Sequence, residues 1–242
     1  MISVKVAANG AVYFCPEPII KNMNSQLKSQ EGTSFVLGTA LMIITMLAHP
    51  HAGSLAGLLS APPIVFAMNI FTHSMGLLSV PFVLLGAWQL TRRLATPAAA
   101  YAFIAMCGGM VAIVIAMTLD GLVVSALVAE AKRPGAIGGQ LATLLAYNTA
   151  IIQSFSLVYV VAVSAAVLTW SVGILRSTVM PKWIGYYGVT MALTVALTML
   201  NGIALVDFIG IKLFVFGFVS WTLLVGILLR KPVPPQLDAV TA

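Results

Sequence analysis

The chain has 242 residues, 60% of them hydrophobic and only 7% charged, with a mean hydropathy of +1.05. Soluble domains carry about 25% charged residues, so this surface is not built for water. The net charge of +6 does not point to nucleic acid, because no basic face with interleaved aromatics accompanies it.

Residues 1–33 lack the apolar core of a signal peptide: Lys5 and Lys21 bracket a stretch broken by Gly10, Pro16 and Pro18. They read as a poorly ordered cytoplasmic leader, and Met23, ahead of the polar run 24–31, reads as an alternative start. Six apolar runs follow, at about 34–49, 64–90, 98–128, 141–175, 183–205 and 211–229. A helix needs ~20 apolar residues to cross the hydrocarbon. The ten-residue alternation of membrane β-strands is missing from these runs. The expectation is an all-α integral membrane protein, a single six-helix transmembrane bundle over 34–230. The second, third and fourth runs exceed the minimum length and should tilt or project. The tail 231–242, with Pro232, Pro234 and Pro235, reads as extended, unpacked chain.

Basic residues orient the bundle. With both termini cytoplasmic, the inner segments hold Lys5, Lys21, Lys28, Arg92, Arg93, Arg176, Lys182, Arg230 and Lys231. The outer ones hold Lys132, Arg133 and Lys212, so nine of the 12 basic residues lie inside. That asymmetry is the positive-inside bias. Trp88, upstream of Arg92, is the best candidate for the interfacial aromatic belt. Cys15 in the leader and Cys107 in the third run are not placed to pair, and neither a disulfide nor a zinc-finger framework is suggested.

Several helix faces carry polar residues at i, i+3, i+4 spacing. These are Asn69, Thr72, His73 and Gly76 in the second run; Thr149, Gln153 and Ser156 in the fourth; and Tyr187, Thr190, Thr194, Thr198 and Asn201 in the fifth. Lipid offers no partner for such groups, so each face is expected to turn inward, as helix glue or as the lining of a solute path. Gly108 and Gly109 read as close helix contact.

Ionisable groups at membrane depth are costly and concentrate at functional places. The outward first run ends at His49, and His51 opens the outer loop. The inward second run carries His73 some ten residues deep, and Asp120 lies in the outer half of the third. Asn148 and Asn201 reach the same side, so a polar pocket of Asn69, Thr72, Asn148, Gln153, Thr198 and Asn201 is expected around the four ionisable groups. Imidazole suits zinc, copper, iron and nickel, and a carboxylate completes a harder shell. His49, His51, His73 and Asp120 therefore form a candidate metal site for copper or zinc. A second version is a b-type haem held between His73 and His49 or His51; covalent attachment is excluded because no Cys-x-x-Cys-His run exists. The stripes Met42, Met46, His49 and Met106, Met110, Met117, Asp120 allow a third version with Cu(I), although methionine is also the ordinary filler of irregular cores. Against a metal stand two other readings. One is a proton-coupled small-solute transporter with Asp120 and His73 as relay; the other is a non-catalytic accessory subunit for a partner membrane chain. No nucleophile elbow, phosphate loop or paired carboxylates are present, so no enzyme class is indicated.

The segment Pro181-Lys182-Trp183-Ile184-Gly185-x-x-Gly188 resembles a turn of bacterial six-helix integral membrane proteins of unknown function. In such a turn Pro breaks the loop, Trp anchors the interface and Gly permits close packing. The resemblance implies the fold and a multi-pass place in the bacterial cytoplasmic membrane. It implies no activity and no site residues.

Overall fold

The structure is a computed structural model that describes residues 2–6, 12–16, 32–50, 60–132, 138–202, 205 and 208–231. The tail 232–242, Met23 and His51 lie outside the described residues. Two short strands, β1 (Ile2–Val6) and β2 (Val12–Pro16), pair antiparallel with Ile2 opposite Pro16. The remaining described residues are helical apart from short connections. The helices are α1 (Thr33–Ala48), α2 (Pro63–Leu94), α3 (Pro97–Ala131), α4 (Gly138–Arg176), α5 (Lys182–Leu200) and α6 (Phe208–Leu229).

Helices α2 to α6 are each long and apolar enough to cross a membrane. The chain is a multi-pass, all-α membrane protein. With 16 residues, α1 rises only about 24 Å, short of the ~30 Å hydrocarbon. Helices α2, α3 and α4, of 32, 35 and 39 residues, exceed it. Proline sets two of the boundaries. Pro63 starts α2 and Pro97 starts α3, where a missing backbone donor costs nothing. Thr96 caps α3 by accepting a hydrogen bond from the Ala99 amide at 3.2 Å.

Each helix packs against the next in sequence, and α6 returns to α1, so the six form a closed ring. The most extensive packing joins α3 to α4 and α1 to α2. The interior is held by fully buried aromatic side chains: Phe35 of α1, Tyr159 and Trp170 of α4, and Phe218 and Trp221 of α6. Trp170 and Trp221 stack with centroids 6.4 Å apart. The indole of Trp170 donates to Thr91 Oγ1 and the Ala99 carbonyl, and that of Trp221 to the Ile184 carbonyl. Trp88 is about half exposed on the outer wall, among large apolar side chains such as Leu85 and Ile104 that are free to face lipid. At the expected turn, Pro181 precedes α5, Trp183 points outward, and Gly185 and Gly188 lie against Ser171 of α4.

The two ends of the ring differ in chemistry. At one end Arg93 donates to the Leu229 and Lys231 carbonyls, closing the C-terminus of α6 with a cation. At the other end the closure of α1, α2 and α3 gathers His49, His73 and Asp120, with Lys212 of α6 on the same cavity wall.

Two expectations are corrected here. The Thr190, Thr194 and Thr198 ridge does not turn inward: Thr190 and Thr194 are exposed and Thr198 is half-buried. Thr194 donates to the Thr190 carbonyl and Thr198 to the Thr194 carbonyl, one turn back. A threonine that bonds its own helix brings its partner with it and can face lipid. Of the glycine pair, Gly109 does sit tightly on Val163 and Ala162, whereas Gly108 has open space where a side chain would be.

Candidate metal centre

His73 sits on the buried face of α2 and is 3% exposed. Its Nδ1 lies 2.8 Å from the Asn69 carbonyl one turn back. A carbonyl can only accept, so Nδ1 carries the proton and Nε2 is left to act. That Nε2 is 3.1 Å from Asp120 Oδ2. His49, just past the end of α1, repeats the arrangement. Its Nδ1 is 2.8 Å from the Pro50 carbonyl and its Nε2 3.7 Å from the same Asp120 oxygen. The two rings meet edge to face with centroids 4.9 Å apart. One potential ligand atom from each of the three residues lies within 4.8 Å of the other two.

Asp120 stands on a local irregularity. Leu119–Val123 form a π-turn inside α3, closed by the Val124 amide on the Leu119 carbonyl. Such single turns are rare and concentrate at functional sites. The widened turn is held from α2 by the Asn69 side chain, whose Nδ2 donates to the Asp120 carbonyl at 3.1 Å and lies 3.4 Å from the Gly121 carbonyl. Asn69 thus fixes two of the three ligand residues, His73 through its backbone and Asp120 through its side chain. Gly121 is required by contact: a Cβ there would stand 2.4 Å from His73 Cβ and Cγ.

A neutral His73 with its proton on Nδ1 presents a lone pair to a carboxylate oxygen, and His49 presents a second. The three atoms need a positive charge between them, which a proton or a metal ion can supply. Holding the far imidazole nitrogen on a carbonyl is also how metal-binding histidines are oriented. Tetrahedral ligands at ~2.1 Å from zinc stand about 3.4 Å apart, so the two contacts to Asp120 are already near the required edges.

The cluster opens into a cavity of about 180 Å³ that is also lined by Thr45, Met46, Met117, Ser156 and Lys212. The other expected pocket residues are distributed as follows. Thr72 is fully buried and donates to the Asn69 carbonyl. Asn148 is buried in α4 and does not line the cavity. Gln153 and Asn201 are exposed, and Asn201 bonds the Leu197 carbonyl of its own helix. Thr198 lies away from the cluster on α5, as described above. His51 lies outside the described residues. The π-turn, Gly121 and Lys212 were not anticipated as parts of the site. An isolated glycine following an intramembrane acid was the available signal for the first two.

Comparison with known proteins finds no matching family model, no similar curated protein and no similar solved structure.

Proposed function

We propose that this protein is a metal-binding membrane protein whose centre is formed by His49, His73 and Asp120. One observation carries the reading: both imidazoles are anchored through Nδ1 on backbone carbonyls and both direct Nε2 at one carboxylate oxygen. Two histidines and one carboxylate leave further positions of a first-row ion open to water or a ligand from the cavity. The favoured version is a bare ion such as copper or zinc. A haem fits less well, because both Nε2 atoms already face one carboxylate oxygen, at 3.7 and 3.1 Å, as in a bare-ion ligand set. In this reading all six helices belong to the membrane domain, both termini are cytoplasmic and the centre opens outward. The closure of Arg93 onto α6 supports this by gathering basic residues at the opposite end. The bacterial cytoplasmic membrane is the proposed location, on the strength of the resemblance at Pro181–Gly188 alone.

The test is stoichiometric. Full-length protein purified in detergent and dialysed against Zn(II) or Cu(II) should retain one ion per chain, and H73A and D120N should retain none. Wild-type protein that stays metal-free in both ions removes the proposal. The direct His73–Asp120 contact favours a second reading, a proton relay in a small-solute transporter. Proton-coupled flux in proteoliposomes that disappears in D120N, with no metal bound to the wild type, would select it. Absence of both activities leaves the accessory-subunit reading.

A further inference from the structure

Beneath the His/Asp centre the bundle is not solid. A second cavity of about 60 Å³ continues inward from the first, and the two share Thr45, Met46, Ile113, Met117 and Ile211 as walls. The deeper one is also lined by Met42 of α1 and Met110 of α3. Four thioethers, two from α1 and two from α3, thus border two adjoining cavities, the outer of which is also lined by two imidazoles and a carboxylate.

The level of the first thioether is fixed by Gly76, one turn along α2 from His73. A Cβ on Gly76 would stand 2.7 Å from Met117 Sδ and 3.3 Å from Thr45 Cγ2. The missing side chain therefore admits the sulfur to the floor of the His/Asp centre. Tyr159 lines the deeper cavity, is fully buried, and its hydroxyl has no hydrogen-bond partner among the described residues. Tyr159 thus walls that cavity from the side of α4. At about 60 Å³ that space admits an ion or a couple of waters, whose share of liquid volume is ~30 Å³ each, and no organic solute.

Methionine often fills cores. Met106, on the same helix, does so here: it is fully buried and borders neither cavity. The other four line the cavities, Met110 from a position nearly as deeply buried as that of Met106. Neutral thioethers are poor ligands for zinc, calcium or magnesium and good ones for a soft monovalent ion.

Building on the metal-binding reading, we infer that the ion is copper, and that Met46 and Met117, with Met42 one turn and Met110 two turns deeper, form a second, inner subsite for Cu(I). The His/Asp centre receives the ion at the surface. The sulfur-lined cavity holds the Cu(I) form inside the bundle, and the ion passes between the two centres as Cu(I) with no change of oxidation state.

The experiment uses full-length protein in detergent with two redox-inert probes: Zn(II) for the outer centre and Ag(I), which shares the soft-ligand preference of Cu(I), for the inner one. In the H73A/D120N double variant Zn(II) binding should vanish while one Ag(I) per chain remains. In M46L/M117L, which preserves side-chain volume, Zn(II) should bind as in the wild type and that Ag(I) should be lost. Retained Zn(II) binding shows that the methionine variant is folded. Should it fail to fold, X-ray absorption of the Cu(I)-loaded wild type decides, with copper–sulfur scattering expected. Ag(I) that the wild type does not bind, or that M46L/M117L binds equally well, overturns the inference. So does Cu(I) with only nitrogen and oxygen neighbours. Loss of Zn(II) binding in the wild type would instead count against the outer centre, so the two failures are read separately.

Discussion

Gly121→Ala isolates the geometry of the centre without touching a ligand. The added methyl carbon would begin 2.4 Å from both Cβ and Cγ of His73 and 3.0 Å from its Nδ1. Carbon atoms rest at about 3.5–4.0 Å, so α2 and α3 must part, or the imidazole swing, by at least ~1 Å. The His73 Nε2–Asp120 Oδ2 contact of 3.1 Å then passes the ~3.5 Å limit at which it ceases to be a hydrogen bond. If the helices part instead, the 3.1 Å bond from Asn69 to the Asp120 carbonyl stretches by a similar amount. Overpacking costs about 1–3 kcal/mol, and the better helix propensity of alanine returns about 0.5–1 kcal/mol. The net loss of stability should be about 1–2 kcal/mol. Metal affinity should fall about 10- to 100-fold, the usual effect of disturbing the groups that orient a ligand. Zn(II) titration of the purified variant, with thermal unfolding on the same sample, measures both. Wild-type affinity in G121A would show that His73 need not be held where it is, and the argument from the π-turn would fail.

Asn69→Ala should weaken Zn(II) binding by about 10- to 100-fold while leaving all three ligands in place, because the π-turn carrying Asp120 loses its support from α2; titration against the wild type reads this. Zn(II) at a hundredfold excess over its dissociation constant should stabilise the wild type by about 2.7 kcal/mol, with no shift in the melting temperature of D120N. Thr194→Val and Thr198→Val should each change stability by less than about 0.5 kcal/mol in detergent unfolding, since both hydroxyls bond only their own helix and leave no orphaned partner elsewhere. Arg93→Met should cost about 1–3 kcal/mol in the same assay, because it removes two charge-assisted bonds to carbonyls at the end of α6.

The sequence carried depth well and direction poorly. Hydrophobic length and basic flanks place a residue along the bundle axis at 1.5 Å per position, which is how His49, His73 and Asp120 came to share one end before any contact was known. Direction around a helix is written in the contrast between a wet face and a dry one, and a helix with lipid on one side and protein on the other has little such contrast. The polar residues that might have restored it misled where they satisfy themselves. Thr194, Thr198 and Asn201 bond carbonyls of their own helix one turn back and need no interior. Asn69 and Thr72, in contrast, do face the bundle, and nothing in their spacing distinguishes them from the outward set.

Residue order alone was enough to specify an apolar, multiply crossing helical chain and to bring two imidazoles and one acid to a common level, because crossing lipid is a one-dimensional constraint on length and charge. The folded ring supplied the rest. It closed α6 onto α1, turned three of the expected pocket residues away from the centre, and opened a π-turn under Asp120 against the side of His73. Those outcomes depend on which surfaces interlock across helices, and a contact between residues some fifty positions apart leaves no mark in the local pattern of either partner.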